Sequence, residues 1–516
     1  MTKKIYLIIL VLFSLSINQY YAYRGIFPID SFLIFDSGYN VMSGHHPFKD
    51  YWLITGPVLD YIQSLFFHVF KVNWFSYALH ASLLNMFLAL FSYYFFLKLG
   101  LKSIFAFIYS LGIAILAYPS IGTPFVDHHA IIFSVMALYS LIIGIYYKKN
   151  LFWFLIPLFL ILSFFSKQVP STYISGLFAI TIMYYFFMFK NKFKKQNFTS
   201  LLLGCFFSFL LISIIFFKNQ IPIENFLIQY IYYPYSLGEL RISELKLGFE
   251  NFIAQFKFIY ISIIPTFFII FLLFKNKNKN LIIKEELLTS FVFIISILIF
   301  IYYQLLTLNQ ILIFFLIPIC LGFSHSYTIK YFNKKYIVYF ILIIFIFTTT
   351  KYHIRFNHNK KFMELTNVDF EKSVNASEFD QIFKGLKWIT PTYADNPSEE
   401  IELLIDVKNI LSKVKEEKII ISDYQFFSAI LKNKSASPNK WYDKLSIPDK
   451  KNKYYIDHKN FFIKKIKENN IKKIYFIGEN MHKIYFFEEF IYQNKCSVLN
   501  KLNILFMELD ISKCEL

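Results

Sequence analysis

Long apolar runs alternate with short polar connections over the first 350 residues of the chain. A bilayer core needs about 20 apolar residues per helix, and eleven runs approach that length. The first is the opening MTKKIYLIILVLFSLSINQYYAY, and the others cover residues 74–97, 103–119, 130–147, 151–167, 170–189, 199–217, 258–274, 286–303, 308–329 and 336–350. The pattern predicts an α-helical polytopic membrane protein with about eleven transmembrane helices.

The pattern changes at residue 351, where charged residues become frequent and no apolar run reaches membrane length. EEIELLIDVKNILSKV has apolar residues at helical spacing, FFIKKIKENN also favours a helix, and KIIISDY, KKIYFIGE and NILFMEL are short β-rich runs. Residues 351–516 are therefore predicted to form a soluble α/β domain, separate from a membrane domain of residues 1–350. No Gly-rich phosphate loop follows any of these strands, so a lid or docking module is favoured over nucleotide binding.

The basic charge of the chain follows the membrane topology. The formal net charge is +19, the mean hydropathy is +0.47, and residues 1–350 contain 25 Lys and Arg against 11 Asp and Glu. With a cytoplasmic N-terminus, the connections on the cytoplasmic side become short and basic, as the positive-inside rule requires. They carry Lys98, Lys102, Lys148, Lys149, Lys190, Lys192, Lys194, Lys195, Lys275, Lys277, Lys279, Lys330, Lys334 and Lys335. This interpretation excludes a nucleic-acid partner and predicts a multi-pass protein of the plasma (inner) membrane, with residues 24–73 and 351–516 extracytoplasmic.

The four cysteines form no metal-ligand pattern. Cys205 and Cys320 lie inside apolar runs, where they are expected to be packing residues. Cys496 and Cys514 lie in the polar C-terminal region, and an extracytoplasmic location would allow them to pair. Their separation in sequence does not show whether they come within bonding range.

An external segment of residues 220–255 mixes apolar and charged residues at helical spacing. Two interpretations remain open for it. It is either an amphipathic helix in the membrane interface, with Arg241 and Lys246 near lipid headgroups, or a loop that covers the outer face of the bundle.

A polar, turn-rich stretch from Asp30 to Tyr61 follows the first apolar run. It reads DSFLIFDSGYNVMSGHHPFKDYWLITGPVLDY and holds ionisable groups between Gly38, Gly44, Pro47, Gly56 and Pro57. A plain tether between two spans needs no such residues. The stretch is therefore a candidate catalytic loop.

Three ionisable residues are expected at one external mouth of the bundle. Asp36 could be a base or could simply open a turn. Asp127 could be a second carboxylate of the site or the N-cap of the fourth span. Lys167 ends the fifth span, where a cation is either functional or snorkels to the interface.

A divalent-metal site is an alternative interpretation of the same region. The pairs His45-His46 and His128-His129, with Asp36 and Asp127, have suitable ligand types. Neighbouring side chains diverge, however, and no His-x-x-x-His spacing is present. No metal and no other cofactor is expected.

The loop resembles the first external loop of the GT-C glycosyltransferases, in the branch of protein O-mannosyltransferases and the lipid A aminoarabinose transferase. The resemblance lies in FDSGYNVMSGHHPFKDY followed by TGPVLDY. Positions of the family pattern are filled by Asp36, Tyr39, Gly44, Pro47, Phe48, Asp50, Gly56 and Pro57, and Asp127 and the Ser166-Lys167-Gln168 triplet resemble two further landmarks.

The resemblance implies transfer of a sugar from a polyprenyl-phosphate-linked donor to a lipid, glycan or protein hydroxyl, on the extracytoplasmic side. A carboxylate must take the hydroxyl proton, and Asp36 is the expected base, with inversion at the sugar carbon and Asp127 as second catalytic carboxylate. The phosphate leaving group needs cationic stabilisation. Residues expected to bind the donor phosphate or the substrate are Lys167, Lys49, Arg24, His45, His46, Asp50, Tyr39 and Gln168.

Other classes of membrane protein fit less well. A surface-polysaccharide polymerase or ligase would also use polyprenyl-linked donors, but its richest external loop usually comes late in the bundle. A lipid-linked sugar transporter should show internal repeats or charged broken helices. A membrane anchor for the C-terminal region would not require the polar loop.

Overall fold

The computed structural model describes residues 2–189, 194–245, 247–275, 281–307, 312–332, 335–478, 483–484, 491 and 496–514. Some lysines of the predicted topology lie outside these described residues: Lys190, Lys192, Lys246, Lys277, Lys279 and Lys334. The remaining basic connections fall within them.

The membrane part is a helical bundle with a helix at each of the eleven predicted positions. Nine helical segments of the described residues are long and apolar enough to cross a membrane, and the other two are shorter; one of the nine is Ser103–Ser120, in which an α-helix is followed by a 3₁₀ turn. The bundle helices are α1 (Thr2–Ala22), α5 (Trp74–Lys98), α6 (Ser103–Leu116), α7 (Val126–Tyr147), α8 (Asn150–Phe164), α9 (Gln168–Met188), α10 (Lys194–Lys218), α13 (Lys257–Lys275), α14 (Leu281–Leu306), α15 (Leu316–Tyr331) and α16 (Lys335–Tyr352). The predicted polytopic helical class is confirmed.

Helix α7 begins four residues before its predicted start at residue 130. Its first turn contains Asp127, His128 and His129, all of them buried. Polar residues of this kind are excluded from a span that faces lipid. Here they form hydrogen bonds with other protein groups, so the helix includes them.

The polar loop forms helices, where the sequence indicated mainly turns. They are α2 (Pro28–Ser31), α3 (Phe35–Met42) and α4 (Val58–Phe70). Gly56 donates its backbone N–H to the Ser166 carbonyl at 3.0 Å. A Cβ at this position would overlap the Phe165 carbonyl, so only glycine fits where the loop meets the end of α8.

The external segment of residues 220–255 is also helical. It contains α11 (Ile223–Phe226), α12 (Tyr233–Ser243) and π-helical turns at Leu227–Tyr232 and Phe249–Ala254. Gln229 accepts a hydrogen bond from the Leu53 amide at 3.1 Å, and the Tyr233 ring packs on Trp52. The segment therefore packs on the polar loop.

The C-terminal region is α/β, as predicted. Its main sheet has the order β3-β4-β6-β5, with β3 and β4 parallel and the other neighbours antiparallel. The strands of this sheet are β3 (Lys418–Ser422), β4 (Lys473–Ile477), β5 (Val498–Asn503) and β6 (Phe506–Asp510). The helices of the region are α17 (Pro397–Lys413), α18 (Phe427–Leu431) and α19 (Tyr455–Glu468). A separate two-stranded ribbon pairs β1 (Val374–Asn375) with β2 (Lys387–Trp388). The edge strand β5 was not predicted, because its residues are mostly exposed and lack apolar alternation.

The polar loop and the C-terminal region share one hydrophobic core. The Phe32 ring packs on Phe426 at 4.7 Å between centroids and on Trp388 at 5.9 Å. Phe35 of α3 packs on Phe383. The division at residues 350 and 351 stays a prediction, and apolar packing crosses it at the polar loop.

Cys496 and Cys514 form a disulfide, with Cα atoms 5.0 Å apart. Cys205 and Cys320 are free thiols, the latter buried. We expect a non-reducing digest to yield one peptide pair that contains both Cys496 and Cys514. Because the link closes an 18-residue separation, Cys496→Ser should lower the stability of the C-terminal region by about 2–4 kcal/mol. Cys205→Ser is the control, and two free thiols in exported protein would contradict the pairing.

Candidate active site

Asp127 and Lys167 form a buried ion pair at one end of the bundle. The Lys167 ammonium donates to both carboxylate oxygens of Asp127, at 2.8 and 2.9 Å. Asp127 lies in the first turn of α7, and Lys167 lies between α8 and α9. The Asp127 side chain is 2% exposed and that of Lys167 is 16% exposed. The structure thus brings two of the predicted site residues into direct contact.

Tyr303 of α14 completes this pair. Its hydroxyl donates a short hydrogen bond to the Asp127 carboxylate, and the Lys167 ammonium lies 5.5 Å from its ring centroid. Two groups therefore hold Asp127, and Asp127 in turn holds Lys167 in place. No sequence signal marked Tyr303, because it is one of 38 tyrosines and lies inside an apolar run.

Asp30, in the short helix α2, faces the same pair. Burial, together with the charges of Asp127, Glu364 and Asp423, raises the pKa of its carboxyl to about 7, and the charge of Lys167 opposes this rise. Its carboxylate makes no hydrogen bond or ion pair with any residue that the structure describes. A carboxyl group that titrates near neutral pH and has no fixed partner is suited to proton transfer.

Arg241 of α12 brings a second cation to this end of the bundle. It acts electrostatically on both Lys167 and Tyr303. Its side chain is half-buried. The sequence left two places open for Arg241, near lipid headgroups or on a loop that covers the bundle, and in the structure it interacts electrostatically with the buried lysine.

Asp36, the predicted base, occupies a different position. Its carboxylate accepts backbone N–H groups from Ser428 at 3.2 Å and Ala429 at 3.1 Å, and its own N–H donates to the Gln425 carbonyl. Burial raises the pKa of Asp36 to about 7, and these hydrogen bonds oppose the shift. Neither Asp127 nor Lys167 is among the groups that act on it. Asp36 thus joins α3 to the C-terminal region.

A second buried ion pair joins the same two parts of the chain. The Lys440 ammonium lies 2.5 Å from the Asp60 carboxylate, with the two side chains 2% and 0% exposed. Asp60 also accepts the hydroxyls of Ser37 at 2.8 Å and Tyr51 at 3.1 Å. The pair is therefore fully hydrogen-bonded on the carboxylate side, as a buried charge requires.

The remaining polar residues of the loop mainly contact protein groups. His45 Nδ1 lies 2.9 Å from the Ser435 carbonyl, and the ring of His46 stacks on Tyr61. The Asp50 carboxylate accepts the His46 amide at 2.8 Å, and Lys49 donates to the Asn219 carbonyl at 3.1 Å. The structure does not bring these four predicted substrate-binding residues into contact with the Asp127–Lys167 pair.

Arg24, Tyr39 and Gln168 also have structural contacts. The Arg24 guanidinium lies 4.7 Å above the Phe370 ring. Tyr39 is buried in the core shared with the C-terminal region. The Gln168 amide donates to the carbonyls of Ile54 and Tyr230, both at 2.8 Å. Gln168 thereby fixes the polar loop and the external segment beside Lys167.

The two histidine pairs do not converge. His128 Nε2 lies 3.0 Å from the Ala117 carbonyl, and His129 contacts Tyr118 and, at 3.0 Å, His80. Within the described ranges, no group of three His, Cys, Asp or Glu side chains is arranged to hold a metal ion. The metal alternative therefore has no supporting geometry in this part of the chain.

Comparisons with known proteins give a distant structural likeness. No protein-family model and no curated protein matches the sequence. Among solved structures, the chain is similar to the archaeal oligosaccharyltransferase AglB from Archaeoglobus fulgidus, determined in complex with an inhibitory peptide and a dolichol-phosphate. The TM-score is 0.48 at 11% identity, over 92% of this chain and 69% of that chain.

Proposed function

We propose that this protein is an inverting membrane glycosyltransferase that moves a sugar from a polyprenyl-phosphate-linked donor to an acceptor hydroxyl. The observation that carries the proposal is the Asp30 carboxylate, which has no hydrogen-bond or ion-pair partner in the described part of the chain and interacts electrostatically with the buried Lys167–Asp127 pair. A base and a cation at one site are what such a transfer needs. The resemblance of the polar loop to GT-C enzymes supports the same class.

The cations stabilise the leaving group. As the bond between the anomeric carbon and the phosphate oxygen breaks, its electron pair moves to the lipid phosphate. Lys167, held by Asp127 and Tyr303, and Arg241 on the external segment stabilise the negative charge that develops there. Asp127 acts as a positioning residue for Lys167.

Asp30 takes the proton of the acceptor hydroxyl while that oxygen attacks the anomeric carbon. We favour Asp30 over Asp36 as the base because Lys167 acts on Asp30 and not on Asp36. The base and the phosphate-binding cation must both lie close to the anomeric carbon, no farther from it than the width of one sugar ring. A single direct displacement of this kind inverts the configuration at that carbon.

The disulfide supports an extracytoplasmic location for the active site. Disulfides persist outside the cytoplasm, and the region that contains Cys496 and Cys514 packs on the polar loop. The basic connections of the bundle then lie on the opposite, cytoplasmic side.

The proposal can be tested with purified protein in proteoliposomes that contain a labelled polyprenyl-phosphate hexose and membrane extract as acceptor source. Wild type should discharge the donor and label an acceptor. Arg241→Gln should lower kcat/KM for the donor by about 10- to 100-fold, the value of one or two charge-assisted hydrogen bonds.

Arg355→Gln is the matched control, because the half-buried Arg355 lies 5.4 Å from the Phe356 ring centroid, has no assigned role at the site and should leave the donor reaction nearly unchanged. No transfer from any lipid-linked sugar would refute the proposed class. Equal losses in both variants would remove the assigned role of Arg241.

The pH dependence of transfer should report Asp30. Because the pKa of its carboxyl is raised to about 7 and the base acts when deprotonated, kcat/KM should rise with pH to a plateau, with a midpoint near 7. The donor phosphodiester does not titrate in this range. Asp36 has a similarly raised pKa, so Asp36→Asn must retain the rise; loss of the rise in that variant would assign the base to Asp36.

A further inference from the structure

A small polar cavity lies between helix α3 of the polar loop and the C-terminal sheet. Asp36 and Asn40 line it from the loop side, and Ser422, Gln425 and Asn439 line it from the C-terminal side. The donor site described above does not use this cavity. Both parts of the chain contribute to it, so it exists only in the docked arrangement.

The lining suits an uncharged, hydroxyl-rich ligand. It consists mainly of amides and hydroxyls together with the rings of Tyr51, Tyr424 and Tyr442. Its one ammonium, that of Lys440, is committed to Asp60, and the Asp36 carboxylate would repel an anion. A sugar fits these conditions, because its hydroxyls both donate and accept and its C–H faces pack on aromatic rings.

Asn439 provides an unused donor at this cavity. The residue is 3% exposed, and its buried Nδ2 group has no hydrogen-bond partner among the residues that the structure describes. Its Oδ1 lies 3.0 Å from His458 Nε2. A buried donor without a partner is costly, so a rotation of the amide that brought this group to a ligand oxygen would be favourable.

A single residue between two lining residues links the cavity electrostatically to the candidate base. Ser422 and Tyr424 line the cavity, and Asp423 between them acts electrostatically on Asp30. Asp423 thus relates the cavity electrostatically to Asp30, which is not itself one of the lining residues.

We infer that this cavity binds a sugar residue of the acceptor, so that the acceptor is a glycan or another glycosylated molecule. The inference rests on the proposed function. It assigns the acceptor to the surface between α3 and the C-terminal region, and the donor to the Lys167 side of Asp30.

The test is binding of methyl glycosides of glucose, galactose, mannose and N-acetylglucosamine to the full-length protein, measured by saturation-transfer NMR. Lipid nanodiscs are used so that no sugar detergent competes. At least one glycoside should bind, and Asn439→Asp should weaken its binding at least fivefold. Asn409→Ala, at an exposed position of α17, should bind as wild type does.

Gln425→Ala keeps the test decisive if Asn439→Asp fails to fold. Gln425 is half-buried, and its substitution removes one described side-chain hydrogen bond, which Gln425 donates to the Lys440 carbonyl at 3.1 Å. The same fivefold loss is expected. Binding of no glycoside, or wild-type affinity in the folded variants, would overturn the inference.

Transfer measurements separate this inference from the proposed function. Glycoside binding that depends on Gln425, without transfer from any lipid-linked donor, would support the sugar site and refute the transferase. Transfer with an unchanged acceptor KM in Gln425→Ala would leave the transferase standing and overturn the assignment of the cavity.

Discussion

Asp30→Asn should reduce sugar transfer by about 10²- to 10⁴-fold, the usual contribution of a general base. The amide has the size of the carboxyl but cannot accept the hydroxyl proton. Because the Asp30 carboxylate has no described hydrogen-bond partner, the substitution should leave the fold intact. The measurement is the single-turnover rate in proteoliposomes, with donor binding measured separately.

Two further variants make this result specific. Asp406→Asn, on the exposed face of α17, should transfer at the wild-type rate. Asp36→Asn should retain transfer when the C-terminal region stays docked, but should lower its stability by about 1–3 kcal/mol, since an amide cannot accept both backbone N–H groups. Normal transfer by Asp30→Asn would exclude Asp30 as the base.

Lys440→Met should destabilise the docked C-terminal region by about 3–5 kcal/mol. Removing one partner of a buried ion pair leaves an uncompensated charge, and Asp60 is fully buried against the C-terminal region. Limited proteolysis should then release a fragment that begins after the bundle. Transfer should decrease when docking is lost, because the contacts of Asp36 and Asn40 with the C-terminal region, and the cavity between the two parts, exist only in the docked arrangement.

The control for this prediction is the exposed ion pair between Lys372 and Asp395, whose side chains are 46% and 100% exposed. Lys372→Met should leave the stability and the protease resistance of the C-terminal region nearly unchanged. The double variant Asp60→Leu/Lys440→Met should recover much of the loss, since it removes both charges. Equal protease resistance of Lys440→Met and wild type would show that the ion pair does not hold the two parts together.

The helical bundle could be predicted from the sequence because each span must bury its own backbone hydrogen bonds in lipid. The apolar runs and the basic connections therefore indicated all eleven helices. The start of α7 could not be predicted, because the residues that satisfy Asp127 and His129 come from distant parts of the chain: Lys167 and His80.

The candidate site was only partly predictable for the same reason. Asp127 and Lys167 stand at span ends, where an ionisable residue is conspicuous, and both were expected at the same mouth of the bundle, although their direct contact was not predicted. Asp30 was passed over beside Asp36, since its significance comes from Asp127 and Lys167 in space. Lys440 looked like one more lysine of a basic region, although it lies buried on Asp60.

The anomeric configuration of the product shows whether an acceptor hydroxyl that Asp30 deprotonates displaces the lipid phosphate directly. Purified protein should be given one defined anomer of a polyprenyl-phosphate hexose, and the new glycosidic bond should be assigned by NMR after a single turnover. Direct attack by a hydroxyl that Asp30 deprotonates predicts the opposite configuration to the donor, and formation of this product only with Asp30 intact. A product of retained configuration, or an inverted product formed equally well by Asp30→Asn, would contradict the account.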